Sequence, residues 1–400
     1  MAQRKPRAGH DSITAETEEA NIPPFFNTTF STHRVSPLYI GPEPLTDARL
    51  DSLAHRLRDT LVGDVVRGIQ IGLEATDTSA GQVGTLRAVT IGWFQPENVL
   101  GQAATDAGEE DLEWVQQRGL WIAIQHENAA FAALLMPGLA SGAPEKRPAW
   151  ATEPQLKVND DHFLHLPLLL LRMPQPLKGV VGEWLSTTFD CRVNQLCLGT
   201  KTLLNVWEGW INTIGLASKG PDFSLKLSFN LPPGRDGRPS APGPETDGEE
   251  REAGLRILEV AISSADLQRF LAAGQTEGPY RADASASWQG DARERRRLAG
   301  NNTDDGWGWR ADESAVESAD AAKHAFTEAL ARYLDHHLAL NLFHPSVRVV
   351  QVACSAFVLA QSRLKVVKLG GASVDLGRAA WMFVGQLAAR IRDTSMVMAA

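Results

Sequence analysis

Apolar residues switch repeatedly between helical and strand spacing along this chain, and the two periods predict interleaved helices and strands. Leu50, Leu53, Leu57 and Leu61 fall on one stripe, which predicts a helix with Thr46 as N-cap, Asp47 in its first turn and Gly63 as C-cap. Val65 to Leu73, Leu86 to Phe94 and Leu120 to Gln125 read as strands between Gly-rich or acidic loops. Leu166 to Leu171 is a short apolar run closed by Arg172, Pro174 and Pro176. It is far below the roughly 20 residues of a membrane span and reads as a buried strand. Gly179 to Phe189 places Val180, Val181, Trp184, Leu185, Thr188 and Phe189 at helical spacing, and Cys191 to Leu198 returns to strand-like composition. The result there is strand, helix, strand.

Further on, Lys201 to Ile214 carries Leu203, Leu204, Trp207, Trp210, Ile211 and Ile214 on a broad helical face. Phe223, Leu225, Leu227 and Phe229 alternate strictly, the pattern of a half-buried strand. Leu255 to Ser263 reads as a strand, and Ser264 caps a short helix ending near Gly274. Ala321 to Leu342 is predicted as a long helix with Phe326, Leu330, Tyr333, Leu334, Leu338 and Leu342 inward, ended by His344 and Pro345. Val347 to Leu359 and Ser362 to Leu369 read as two strands, and Leu376 to Ile391 as the last helix.

Polar stretches divide this pattern. Residues 1–24 have few apolar positions and read as a disordered tail whose basic trio, Arg4, Lys5 and Arg7, is either solvated charge or a weak nuclear-import signal. Residues 25–230 form an N-terminal α/β lobe, 231–254 a polar loop, and 255–400 a C-terminal lobe of sheet and helices with a polar insertion at 275–318. The expected class is α+β: two lobes on mostly antiparallel twisted sheets with packed helices. Within the insertion, Trp307 and Trp309 either anchor a partner or tuck onto the nearby core. Arg293 to Arg297 either touches DNA phosphate, serves as an import signal, or lies in a loop neutralised by Asp291, Glu294, Asp304 and Asp305.

Composition narrows the function. The net charge of −9 argues against binding nucleic acid over the whole surface, so any such contact is local. Cys191, Cys197 and Cys354 are odd in number and lack metal-ligand spacing, and the N-terminus does not resemble a secretory signal, so a reducing cytosolic or nuclear setting is expected. The sequons at Asn27 and Asn301 are then expected to stay unmodified.

Catalytic spacing is scarce. There is no P-loop and no GxSxG elbow, and Gly370 to Ser373 has the wrong glycine spacing for a dinucleotide loop. His162 and His165 beside Asp160 and Asp161 suggest metal ligation but lack partners at recognised spacing. His336 and His337 point about 100 degrees apart on a helix. No metal and no cofactor are expected. Between Val347 and Leu369, by contrast, Arg348, Arg363, Lys365 and Lys368 sit on two β-rich segments with almost no acid. Two readings stand: lysine-guarded outer faces of a sheet, or an open edge for a partner strand with a basic strip beside DNA.

Three ordered patterns carry a resemblance. TTFSTHRVSPLYIG (Thr28 to Gly41), LHLPLLLL to TTFDC (Leu164 to Cys191), and the helix with Tyr333, His336 and His337 running into SVRVVQVACSAFVLAQSRLKVVKL resemble the CENP-L family of inner kinetochore subunits. The resemblance covers about residues 25–395, and its two insertions look like those of a filamentous-fungal member. It implies a non-enzymatic scaffold in the nucleus, at the centromere and kinetochore, that forms a heterodimer with a CENP-N-like subunit through the edge of the C-terminal sheet. CENP-C-like and other inner kinetochore proteins are further implied partners, with local DNA or nucleosome contact and no membrane. The implied partner-binding residues are Val347, Val349, Val352, Leu364, Val366 and Leu369, and Arg363, Lys365 and Lys368 are implied to lie near DNA. Two rivals remain: a soluble α+β enzyme with a site around Asp161, His162 and His165, and a DNA-binding module acting alone.

Overall fold

Strand and helix alternate along the chain as the two periods require, giving a mixed α+β fold whose strands pair antiparallel. A computed structural model describes residues 22–66, 83–101, 118–137, 162–215, 222–230, 255–277, 292–300, 304–308, 324–368, 377, 380–388 and 391. The elements begin with β1 (Thr29–Val35), β2 (Leu38–Tyr39), α1 (Asp47–Val66), β3 (Leu86–Phe94), α2 (Pro96–Leu100), β4 (Gly119–His126) and β5 (Ala130–Met136). β6 (Phe163–Leu164), β7 (Leu168–Arg172), α3 (Gln175–Phe189), β8 (Val193–Gln195), α4 (Thr200–Ile214), β9 (Phe223–Phe229) and β10 (Ile257–Ile262) follow. Then come α5 (Ser264–Glu277), α6 (Ala292–Ala299), α7 (Ala325–Leu338), β11 (Val347–Ala353), β12 (Phe357–Ala360), β13 (Arg363–Val366) and α8, residues 380–388. The chain divides into two units, Met1–Leu196 with Ser362–Ala400, and Cys197–Gln361. Among the described residues no barrel closes.

In the first unit the strands run β13-β1-β7-β5-β4-β3. β1 is central: β7 lies along one side, while β13 and β8 share the other, opposite Thr29–Ser31 and His33–Val35 respectively. The leucines of α1 and Leu177, Val181 and Leu185 of α3 close one core with Ile122, Leu135 and Leu169. Leu168 to Leu171 are at most 1% exposed, because β7 is covered on both faces, and such strands lose their alternation. The same reason hides β5, an apolar run that periodicity does not reveal. α3 ends at Asp190, which adopts the left-handed conformation (φ 44°) that Asp tolerates better than most residues. That C-cap is the structural content of the TTFDC phrase.

Two boundaries differ from the predicted ones here. α1 passes through Gly63 to Val66, since a glycine inside a helix costs only about 1 kcal/mol and does not by itself end it. The strand expected from Val65 therefore starts in helix, and its residues 67–73 lie outside the described residues. The Cys191 to Leu198 strand contracts to Val193–Gln195. Most of the expected tail, residues 1–21 with Arg4, Lys5 and Arg7, is also outside the described residues.

In the second unit the order is β10-β9-β11-β12. β9 and β10 flank the polar stretch 231–254, yet they pair with each other residue for residue from Phe223↔Ile262 to Ser228↔Ile257. Trp207 of α4 is the centre of an aromatic core, with ring centroids 4.3 Å from Phe223, 5.5 Å from Phe326 and 6.2 Å from Phe357. β11 carries a bulge between Val349 and Gln351, and the Val349 N–H donates instead to the buried Thr200 hydroxyl at 3.0 Å. The expected strand Val347 to Leu359 is a hairpin, β11 and β12, turned at Cys354 to Ala356 where no Gly or Pro announces it. α5 runs past Gly274 to Glu277, because that glycine is where α5 meets α7: an added Cβ would overlap the Ala325 carbonyl.

The described residues of the 275–318 stretch include a helix and a buried tryptophan. Arg293 to Arg297 lie in α6. Trp307 is 7% exposed, donates its indole N–H to the Val347 carbonyl at 3.2 Å and packs edge-on against Phe343. It is a core residue, and Trp309 lies outside the described residues. The N-cap of α4 is Gly199, which has no side chain to cap with. Asp304 and Asp305 supply the caps from a hundred residues away: Asp304 accepts from the Gly199 N–H and the Thr202 hydroxyl, and Asp305 from the Thr200 N–H.

Candidate partner-binding edge and basic surfaces

A strand offers a partner main-chain hydrogen bonds only where one side is unpaired. β11 fails that test: β9 runs along one side, and on the other Gln351–Ala353 pair with β12 while the Trp307 indole and the Thr200 hydroxyl take the Val347 carbonyl and the Val349 N–H; its Val347, Val349 and Val352 are at most 2% exposed. Leu364 and Val366 of β13 are likewise buried, on a strand paired with β1. Leu369 lies outside the described residues. Over Val347 to Val366 the expected edge is thus occupied by the chain itself, because hairpin formation and pairing with β1 consume its backbone groups.

The open edge of the second unit is β10. Among the described residues it pairs only with β9. Register places Leu258, Val260 and Ile262 on the core face with Leu227, Leu225 and Phe223, and Ile257, Glu259 and Ala261 on the outer face. Ile257 is 62% exposed and Leu255, just before it, 59%. These are the most exposed large apolar residues of the described chain. Glu259 sits mid-strand, accepting from the Ser224 hydroxyl at 2.7 Å and lying 3.5 Å from Lys226. The Ser224 hydroxyl chiefly holds its carboxyl below the usual range. One guarded charge thus interrupts an apolar edge.

The residues expected near DNA gather in the first unit. Arg363 and Lys365 lie opposite Ser31 and Thr29 of β1, and the Lys368 N–H is fixed by the Asn27 side chain at 3.1 Å. Sequence reading missed Lys178 of α3, which the fold brings close enough to Arg363 to matter: burial lowers the Lys178 pKa, and the Arg363 charge lowers it further. His33 is lowered too, first by burial and further by Lys178. Among the described residues no carboxylate pairs with Lys178, Arg363, Lys365 or Lys368. Like charges held together without counter-charge favour an anion. No local signal marks Lys178, because 185 residues separate it from Arg363.

Of the rival catalytic group, the structure describes only the two histidines. His162 packs against Tyr39 and its carbonyl accepts from the Ile40 N–H at 2.8 Å, whereas His165 is exposed; Asp160 and Asp161 lie outside the described residues. His336 and His337 are exposed at the end of α7. Among the described residues no three potential metal ligands converge, and no helix is long and apolar enough to cross a membrane.

The described residues define a protein of the α+β class built on mostly antiparallel strands. Compared with known families, residues 24–394 match the model for Centromere protein L. The chain belongs to the CENP-L family, a structural family of the kinetochore, and is a centromere protein that takes part in chromosome segregation. No curated protein matches it.

Proposed function

We propose that the chain is a non-enzymatic subunit of the inner kinetochore in the nucleus. In this reading it forms a heterodimer with a CENP-N-like protein at centromeric chromatin and supports the docking of CENP-C-like and other inner kinetochore proteins. The observation that supports it is the β10 edge, which among the described residues pairs on one side only and carries the exposed Leu255 and Ile257. An added strand would continue the order β10-β9-β11-β12, with its own apolar residues facing Leu258 and Val260. A lasting pair buries on the order of 2,000 Å² or more, so the edge is the nucleus of a larger contact. Lys178, Arg363, Lys365 and Lys368 supply the local DNA contact in this reading.

Proline scanning of the edge tests it. Val260 and Ala261 are adjacent, so one of them directs its N–H to β9 and the other outward. Val260→Pro and Ala261→Pro are made separately and co-expressed with a CENP-N-like subunit. The variant that keeps its stability is expected to lose the partner in size-exclusion chromatography. Co-elution of that folded variant at wild-type levels would remove β10 from the interface.

A further inference from the structure

With β10 as the partner edge, a premise carried over from the proposed function, the middle of that edge is a carboxylate, Glu259. Strand register places Gln351, Lys226 and Glu259 in one row across the outer face of β11, β9 and β10. Among the described residues Glu259 ends that row. Its side chain is 52% exposed, and Ile257 and Ala261, two residues to either side on the same face, are exposed too. On the other face Leu258 and Val260 are half-buried.

The Glu259 carboxylate is held from the β9 side. Oε1 accepts from the Ser224 hydroxyl at 2.7 Å, and Oε2 lies 3.5 Å from Lys226 Nζ. An ionised carboxylate has about four acceptor positions, so these two partners leave the others to water. A strand added to β10 displaces that water from the open side. Covering an ionised carboxylate is unfavourable unless the covering group donates to it or carries the opposite charge. Ile257 and Ala261 offer no such side-chain group, so the incoming strand must.

We propose that the strand completing β10 carries a lysine or arginine opposite Glu259, between two apolar residues that face Leu258 and Val260. The new cation continues the alternation begun by Lys226 and Glu259, and opposite charges directly across two strands stabilise the pair where like charges oppose it. It also fixes register: a slip of one residue turns the basic side chain to the core face, and a slip of two sets it against Ile257 or Ala261. A second copy of this chain is the poorer occupant. Added antiparallel about a two-fold axis, β10 pairs residues of one face, so in the registers of greatest overlap Glu259 meets Glu259, Ile257 or Ala261. None of these is a cation.

The test titrates the full chain with the CENP-N-like subunit by biolayer interferometry, after thermal melts have shown each variant to be folded. Glu259→Gln is expected to weaken binding about threefold and Glu259→Lys about tenfold. Glu183→Lys makes the same charge change at an exposed position of α3 and is expected to leave binding unchanged. In about 1 M salt wild type and Glu259→Gln should converge, a result that a merely structural role of Glu259 does not produce. Should Glu259→Lys lose stability beside Lys226, the Gln variant and its salt dependence decide the matter. If the folded proline variant of β10 loses the partner while both Glu259 variants bind at wild-type strength, the proposal is overturned and the edge stands. If that proline variant keeps the partner, the edge itself falls and the proposal with it. If light scattering finds the chain alone to be a dimer that proline in β10 dissolves, a second copy occupies the edge and the proposal is again overturned.

Discussion

Glu208 offers the sharpest check on the second unit. It lies in α4, 2% exposed, and accepts from the Thr327 N–H at 3.0 Å and the Thr327 hydroxyl at 2.8 Å. It thereby caps α7 from a neighbouring helix, where the N-cap residue His324 makes no side-chain cap. Burial, chiefly, pushes its pKa up from 4.5 to about 7; the Thr327 hydrogen bonds pull the other way. Between those values the folded chain keeps a proton that the unfolded chain has released. The stability associated with that proton is complete below about pH 4.5 and is lost as pH rises through about 7, a change of about 3 kcal/mol.

The perturbation is Glu208→Gln, which retains an oxygen to accept from Thr327 and removes the titration. Denaturant unfolding followed by tryptophan fluorescence, with Trp207 in the same unit's core, gives the stability of both proteins between about pH 5 and pH 8. Wild type should fall relative to the variant as pH rises. His33 and His344 are held below the usual histidine value, mainly by burial, so their contributions run the opposite way, growing as pH rises. Both proteins share them, and the difference isolates Glu208. A wild-type-minus-variant difference that stays flat across this range, or grows with pH, would refute the reasoning.

Asp304→Ala removes the acceptor for Gly199 and Thr202 at the buried start of α4; thermal unfolding should report a loss of about 1–3 kcal/mol, and a loss under about 0.5 kcal/mol would count against remote capping. Two glycine substitutions should have opposite signs. Gly274→Ala forces a Cβ into the Ala325 carbonyl and should cost about 1–3 kcal/mol, whereas Gly63→Ala, in open space within α1, should stabilise by about 0.5–1 kcal/mol. Equal effects in denaturant melts would contradict the helix crossing described for α5 and α7. Lys178→Glu should weaken DNA binding by the CENP-N-like heterodimer as much as Arg363→Glu does, measured by filter binding at low salt; an effect of Arg363→Glu alone would separate the two cations.

Much of the fold was legible because burial is one-sided in so many elements. α1 hides one face and exposes the other, and β9 alternates buried with half-buried positions, so period 3.6 or period 2 is written into their residues. β5 and β7 hide both faces, and their composition announces burial without announcing direction. Polarity was a weaker guide. The segment read as a neutralised loop holds α6, the caps Asp304 and Asp305, and Trp307 against Phe343. Those polar residues are ordered by partners far along the chain, and local composition carries no record of them.

The sequence by itself determined the class, the family and most elements, since apolar spacing and motif order are properties of the chain read in one dimension. Tertiary structure alone decided which strand is left open. Val347 to Val352 and Ile257 to Ile262 are equally strand-like in composition, but the first is paired with β9 on one side and held by β12, Thr200 and Trp307 on the other, whereas among the described residues the second pairs on one side. It also decided which cations meet, because Lys178 and Arg363 become neighbours only after residues distant in sequence pack together.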